Sequence, residues 1–307
     1  MISRHEPVLL AEVLGFLGNG PGLYLDATLG DGGHAEALLD REPGARLLGN
    51  DRDPASLAFA GERLRRFGGR VILSHGTFAE LPATWERVGR ESLAGALLDL
   101  GLSSRQLDDP ERGIGFRFDG PLDLRLDPTR GVPAQERLRR ASEEEIEQVL
   151  RVHGDVAGAR RLSRAIVAAA RSGDLPTTRA LATLVDRTLG GRPHPRRTAQ
   201  VFQALRIWAN GEAEDLDAVL AWLPEAMRTS GVVVTLAYHS GEDRRIKQVL
   251  RPRGAAMPRR WPGVAPGAHE GPWEELTRRV VRPSEEEQAA NPRARSARLR
   301  AFRRKPV

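Results

Sequence analysis

The chain has 307 residues, 40% apolar and 29% charged, the composition of a folded globular protein; at about 150 residues per domain it is long enough for two domains or one with a large insertion. It contains no cysteine, which excludes disulfide scaffolds, zinc fingers, iron–sulfur clusters and a cysteine nucleophile, and makes the reducing cytosol the expected compartment. No run approaches the roughly 18 apolar residues of a membrane span, and Arg4, Glu6 and Glu12 interrupt the apolar N-terminal segment, so neither a signal peptide nor membrane insertion is expected.

The net charge of +6 is unevenly placed: residues 291–307 carry seven positive charges and no acid, and the rest of the chain sums to −1. Nearly all the basic residues are arginine, Lys247 and Lys305 being the exceptions, a bias that a G+C-rich genome explains as well as phosphate binding does.

In chain order, short apolar runs alternate with amphipathic segments through the first hundred residues. Strands are predicted at Leu23–Asp26, Arg46–Asn50, Arg70–Ser74 and Leu93–Leu100. Asp53-Pro54-Ala55 opens a helix that continues through Leu57, Ala60 and Leu64, with aspartate and proline in their favoured early positions. This βαβαβ rhythm predicts an α/β fold, a doubly wound parallel sheet of Rossmann type. From Leu102 to about Asp215 the rhythm is replaced by a loop rich in Asp, Gly and Pro and by helical segments such as Glu143–Arg151 and Ala159–Arg171, a helical insertion after the fourth strand. A helix from about Asp215 to Met227 leads back to a strand at Val232–Tyr238, and a further strand is expected at Leu276–Val281, beyond a Pro/Gly-rich stretch from Arg251 to Pro272.

The densest chemical signal is Asp26-Ala27-Thr28-Leu29-Gly30-Asp31-Gly32-Gly33-His34, a glycine-rich turn between the first strand and a helix, where the backbone can approach a ligand closely. Asp51 follows Gly30 by 21 residues, near the offset at which an acid ending the second strand binds a ribose hydroxyl. The pattern fits a nucleotide-type ligand, either NAD or S-adenosylmethionine. Asp26 favours the second, because a carboxylate there repels a pyrophosphate and attracts a sulfonium and an ammonium.

Three stretches, His5-Glu6-Pro7-Val8-Leu9-Leu10, the Asp26–His34 turn and Leu98-Asp99-Leu100-Gly101-Leu102-Ser103-Ser104-Arg105-Gln106-Leu107-Asp108-Asp109, together resemble the bacterial 16S rRNA cytosine-N4 methyltransferases, the RsmH or MraW family. The likeness continues through Glu111-Arg112-Gly113, Asp119–Arg125, Phe202–Ile207, His239–Arg244 and Asn291–Ser296, nearly the whole chain. The resemblance implies a class I S-adenosylmethionine-dependent methyltransferase fold in two parts, 1–106 and 215–307, around an RNA-recognition insertion at 107–214. It further implies a cytoplasmic enzyme whose partner is the 16S rRNA of the small ribosomal subunit or its precursor, and whose substrate is a cytidine of the decoding centre. Carried over position by position, its donor-binding residues fall on Gly32, Gly33, His34, Asp51, Phe78, Asp99 and Gln106. The departures are His153 in place of the usual tyrosine with the usual glutamate pair missing after Gly154, two extra residues between Pro195 and Phe202, and Tyr238 and Gly241 where phenylalanine and leucine are usual.

A cytosine amine is a poor nucleophile, so an enzyme must align it and accept hydrogen bonds from its protons. Many amino-methylating enzymes use Asp or Asn, two prolines and an aromatic residue after the fourth strand, and this chain offers Asp99-Leu100-Gly101-Leu102-Ser103-Ser104 instead. Asp99 and Ser103 are the leading candidate acceptors, and His239, after the Val232–Tyr238 strand, is a candidate for holding the base or relaying its proton, unless it is satisfied by its own helix start. The remaining histidines form no ligand spacing, so no metal site is expected. The basic tail from Arg293 to Lys305 is expected to contact RNA phosphate, against the alternative that its first half packs on the sheet. Two other functions stay open at this point: methylation of a small-molecule or protein amine, and a non-catalytic ribosome-assembly factor on the same fold.

Overall fold

The computed structural model describes residues 7–18, 20–190, 194–251 and 271–306. They form two compact units, Met1–Gly101 with Asp215–Val307, and Leu102–Glu214.

The first unit is built on seven strands, β1 Gly22–Asp26, β2 Ala45–Asp51, β3 Val71–His75, β4 Leu93–Asp99, β5 Met227–Ala237, β6 Trp273–Glu275 and β7 Arg298–Arg304. Their order in the sheet is β3-β2-β1-β4-β5-β7-β6. β1 to β5 pair in parallel, while β7 is antiparallel to both of its neighbours. The strand order reverses between β1 and β4, and in such sheets that reversal opens a crevice at the carboxyl ends of the strands. Alternation along the strands builds a core on each face. Leu98, Val233 and Phe302 pack with Leu220, Leu223 and Trp85, while Leu97, Val234 and Leu299 pack with Val13 and Leu17. Asp53 caps the helix Pro54–Leu64 by accepting from the Ala55 amide at 3.0 Å, as its place before proline predicts.

The second unit is helical. Helices Ala134–Arg140, Glu143–Gly154, Ala159–Ser172, Thr178–Leu189 and Pro195–Asn210 enclose a core that includes Leu138, Leu150, Ile166, Leu181 and Phe202. Trp208 ties the last of these helices to the second through its indole N–H, which donates to Glu145 Oε1 at 2.8 Å, and the Arg137 guanidinium lies 4.1 Å from its ring centre. His153 lies in the last turn of Glu143–Gly154, where its carbonyl accepts from Gln203, and the stretch from Pro195 to Phe202 lies within the helix Pro195–Asn210.

Three expectations need correcting. The strand expected at Leu276–Val281 is replaced by β6 at Trp273–Glu275, with Val281 making a single bridge to Leu299. The helix before β5 starts at Glu212, and β5 itself begins at Met227 rather than Val232, with Ser230 at φ 65° where the register against β4 shifts. Most important, the second half of the basic tail is β7, a strand inside the sheet: Leu299, Ala301 and Phe302 are fully buried. Its charges are used internally, because Arg300 donates to Asp243 Oδ1 at 2.6 Å and to Glu275 Oε1 at 3.0 Å, and Arg303 to Glu274 Oε2 at 3.1 Å. The Arg251–Pro272 stretch falls, over 252–270, outside the described residues.

Phe302→Ala should therefore lower stability by about 3 kcal/mol or more in urea denaturation, the range for emptying a buried aromatic site. A loss below about 1 kcal/mol, usual for surface changes, would contradict β7 as a core strand.

Candidate functional site

The crevice is assembled from the carboxyl ends of β1, β2 and β4, each of which ends in an aspartate: Asp26, Asp51 and Asp99. Parallel pairing brings them together, Asp26 standing opposite Gly49 of β2 and Leu97 of β4. A carboxylate at such a position loses water, and backbone amides supply what replaces it. Asp26 Oδ1 accepts from the Thr28 amide at 3.2 Å. Asp51 Oδ2 accepts from the Gly30 amide at 2.7 Å and Oδ1 from the Asp53 amide at 2.8 Å. The Thr28 hydroxyl accepts from the Asp99 amide at 2.6 Å and so ties the turn to the end of β4.

The 21-residue offset thus has a direct physical meaning: Asp51 holds the glycine turn in place. Gly30 and Gly32 have φ of 53° and 77°, a left-handed conformation that other residues seldom adopt. A side-chain carbon at Gly30 would meet only the Thr28 carbonyl, at 3.8 Å, so the turn leaves open space above it. Gly33 begins the helix Gly33–Arg41 and is covered by Pro7, whose ring a side chain at position 33 would strike at 2.5 Å.

His34 is buried and caps nothing. Its Nε2 lies 3.0 Å from the Val8 carbonyl, and its Nδ1 lies 3.9 Å from Asp99 Oδ2. It therefore links the N-terminal segment to the crevice, and His5 and Glu6 of that segment lie outside the described residues. Phe78 opens the short helix Phe78–Glu80, whose first amides, those of Phe78 and Ala79, donate to the two oxygens of Asp215 at 3.0 and 2.8 Å. Phe78 is half-buried and packs against the core that includes Trp85 and Leu220.

Burial raises all three acids, and Asp26 is raised further by the other two. Burial pushes Asp26 up to about 8; the Thr28 amide opposes this, while Asp99 and Asp51 add to it. Burial also pushes Asp51 up to about 6 against the amides of Asp53 and Gly30. Asp99 too lies above its ordinary value through burial, moderated by His34 and by hydrogen bonds from the Tyr238 hydroxyl and the Gly101 amide. Tyr238 and Thr28 are the functional residues that the sequence does not single out. Tyr238 stands out there only as a departure from the family pattern, yet its ring also explains Gly101, where an added carbon would lie 2.7 Å from it. Three desolvated carboxylates at one switch point form a site whose electrostatics a bound cation relieves.

Three candidates hold the starts of their own helices. One ring nitrogen of His239 caps its own helix, Ser240–Leu250: Nδ1 accepts from the Gly241 and Glu242 amides at 3.2 and 3.4 Å, while Nε2 is buried 3.0 Å from Glu242 Oε1 without a hydrogen bond among the described residues. The ring expected to face the base is thus a helix cap, and Gly241 makes room for it. Ser103 and Gln106 belong to the helical unit, where they form a reciprocal capping box on helix Ser104–Asp108, Ser103 Oγ accepting from the Gln106 amide at 3.2 Å and Gln106 Oε1 from the Ser103 amide at 3.0 Å. No cluster of three metal-ligating side chains occurs among the described residues.

Comparison with known proteins agrees with this chemistry. The family model described as the MraW methylase family matches residues 2–305. The chain is similar to proteins named ribosomal RNA small subunit methyltransferase H, at 42% identity in Sorangium cellulosum, over 98% of this chain and 91% of the relative, and at 44% in Thermomicrobium roseum, over 98% and 94%. Among solved structures, an rRNA methylase from Streptococcus thermophilus matches at 10% identity and a TM-score of 0.41, over 97% of this chain and 92% of its own.

The raised Asp26 gives a test of the crevice electrostatics. A carboxyl whose folded pKa lies near 8 rather than at its ordinary 3.8 contributes fully to stability below about pH 4, and that contribution drains away as pH rises towards 8. Asp26→Asn should raise the urea midpoint at pH 8 relative to the parent protein and leave it nearly unchanged at pH 4. Parallel pH profiles for the two proteins would contradict the desolvated carboxyl.

Proposed function

The chain belongs to the MraW methylase family, and on that premise we propose that it transfers the methyl group of S-adenosylmethionine to the exocyclic N4 of a cytidine in 16S rRNA, at the decoding centre of the small ribosomal subunit. The observation that carries the reading is the triad of desolvated aspartates at the switch point, in a chain whose family model covers it almost end to end.

When bound, the donor supplies a methyl group made electrophilic by its positively charged sulfur. The chain's own residues do the rest. Asp26 offsets positive charge in the crevice, and Asp51 accepts from ribose hydroxyls on the lone pairs that Gly30 and Asp53 leave. Phe78 packs on adenine. Asp99 is the candidate to meet the amine: its carboxylate would accept a hydrogen bond from N4, orient the lone pair and offset the positive charge that develops on the nitrogen. The amine must then lose one proton, and Asp99 would accept it, its basicity raised by burial. Tyr238 and His34 keep that carboxylate in place, so they are positioning residues. His239 and Ser103 contribute by holding helix starts, and the helical unit is the part assigned to RNA recognition.

No helix among the described residues is long and apolar enough to cross a membrane. A small-ribosomal-subunit substrate puts the protein in the cytoplasm.

Incubation with tritium-labelled donor and small ribosomal subunits from a strain lacking this enzyme should label the RNA, and mass spectrometry should place the methyl group on N4. Asp99→Asn should lower turnover on the order of 10²-fold, the scale of one preorganised electrostatic contact, with a smaller effect on RNA affinity. Label on carbon 5, or full turnover in the Asn variant, would refute the assignment.

A further inference from the structure

The tail was expected to hold phosphate, yet the structure engages three of its seven cationic side chains internally. Arg300 and Arg303 are committed to carboxylates, and Arg304 donates to the carbonyls of Pro224 and Pro272. The cationic groups left over lie in the segment before the tail and in the tail's first half. Arg278, Arg279 and Arg282, between β6 and the helix Glu285–Ala290, are exposed, as is Arg295 ahead of β7. Arg298 at the start of β7 is half-buried, and none of the five is within ion-pair distance of an acid among the described residues.

Strand register places two of them, Arg282 and Arg298, at the crevice end of the sheet. Asp99 stands opposite Leu236, Leu236 opposite Leu299, and Leu299 exchanges both backbone hydrogen bonds with Val281, at 2.9 and 3.1 Å. One row thus crosses the sheet from the candidate acceptor to the arginine segment, a span of roughly 14 Å at three interstrand spacings. Arg282 follows Val281 and Arg298 precedes Leu299, so the antiparallel bridge sets two guanidiniums across from each other. Opposed like charges destabilise a strand pair, and an anion between them removes that cost. Because β7 runs against β5, its start, with Arg298 opposite Ala237, lies at the same end of the sheet as Asp99. The exposed acids of the segment, Glu285 and Glu286, occupy the first turn of their own helix, where they complement its dipole. Glu287 accepts from the Leu9 amide at 2.8 Å.

We propose that Arg278, Arg279, Arg282, Arg295 and Arg298 form a phosphate-binding ridge that grips the backbone of the substrate RNA beside the methyl-transfer crevice. The inference rests on the rRNA reading above and adds to it a second anchoring surface, on the sheet unit rather than on the helical one. Guanidinium groups suit this task because each presents a planar fork to a phosphate. The ridge carries no base-reading pattern, so it sets affinity and register, while the crevice selects the base.

The test uses the full chain and a fluorescein-labelled single-stranded RNA containing cytidine, with anisotropy read across a salt series. The variant R278Q/R279Q/R282Q/R295Q/R298Q should bind at least about tenfold more weakly near 0.1 M salt, its log–log salt slope falling by roughly 0.7 for each phosphate no longer neutralised. A control of equal chemistry, R46Q/R65Q/R90Q, removes arginines already paired with Glu91, Glu62 and Glu225 and should bind like the parent. With small ribosomal subunits as substrate, KM should rise in the ridge variant while kcat at saturation is kept, and unchanged donor affinity by calorimetry verifies its fold. The pair R278Q/R279Q, both on an exposed segment, should show a partial loss in the same direction. Parent-like affinity and slope in the five-site variant would overturn the ridge and leave the surface to an acidic protein partner. Equal loss in the control would also overturn it, showing a general charge effect. A parent protein that binds no RNA would overturn the rRNA reading itself, and the ridge with it.

Discussion

Three carboxylates withdrawn from water at the ends of adjacent parallel strands are the constraint on which this molecule depends. Asp26, Asp51 and Asp99 each lose solvation, and the first is further raised by the charges of the other two. An arrangement of that kind is unfavourable for folding unless backbone donors compensate it. The amides of Thr28, Gly30 and Asp53 do so, which is why the turn after β1 has the shape it has. The same acids that need the turn also fix it, and the cation-seeking site and the glycine-rich loop are one structure.

The surrounding fold keeps that structure dry and in register. The strand order reverses between β1 and β4, so Asp26 and Asp99 flank the crevice without a loop crossing it. Thr28 stitches the turn to β4, Tyr238 reaches Asp99 from the end of β5, and His34 joins Val8 to the same carboxylate. Removing any of these leaves the three acids present but less well held, which is how residues that touch no substrate contribute to transfer.

Much of this is legible in the sequence. Strands β1 to β4 fall within a residue or two of their predicted places, β1, β2 and β4 because mostly apolar runs ending in Asp mark buried parallel strands, while β3 is an edge strand with no buried residue. Asp51 is legible from its spacing, although its bond to the Gly30 amide is not, since an offset reports proximity and not which atom is bound. The strand at Arg298–Arg304 escapes sequence reading for a physical reason. Its arginines read as solvated charge, and their burial depends on Asp243 and Glu275, which come from distant segments. Ser103 and Gln106 carry a visible capping-box pattern, serine followed three residues later by glutamine, that a search for donor and substrate ligands overlooks. His239 reads both ways, and the choice turns on Gly241, whose missing side chain lets the ring fold back on its own helix.

If the crevice acids await a cation, the proton balance of donor binding reports it most directly. Calorimetric titration of S-adenosylmethionine into the protein at pH 7, repeated in buffers of different ionisation enthalpy, counts protons exchanged. With Asp26 near 8 before binding, placing positive charge beside it lowers that value, so net proton release is predicted, and Asp26→Asn should abolish most of it. Net uptake, or a balance unchanged in the Asn variant, would contradict the account.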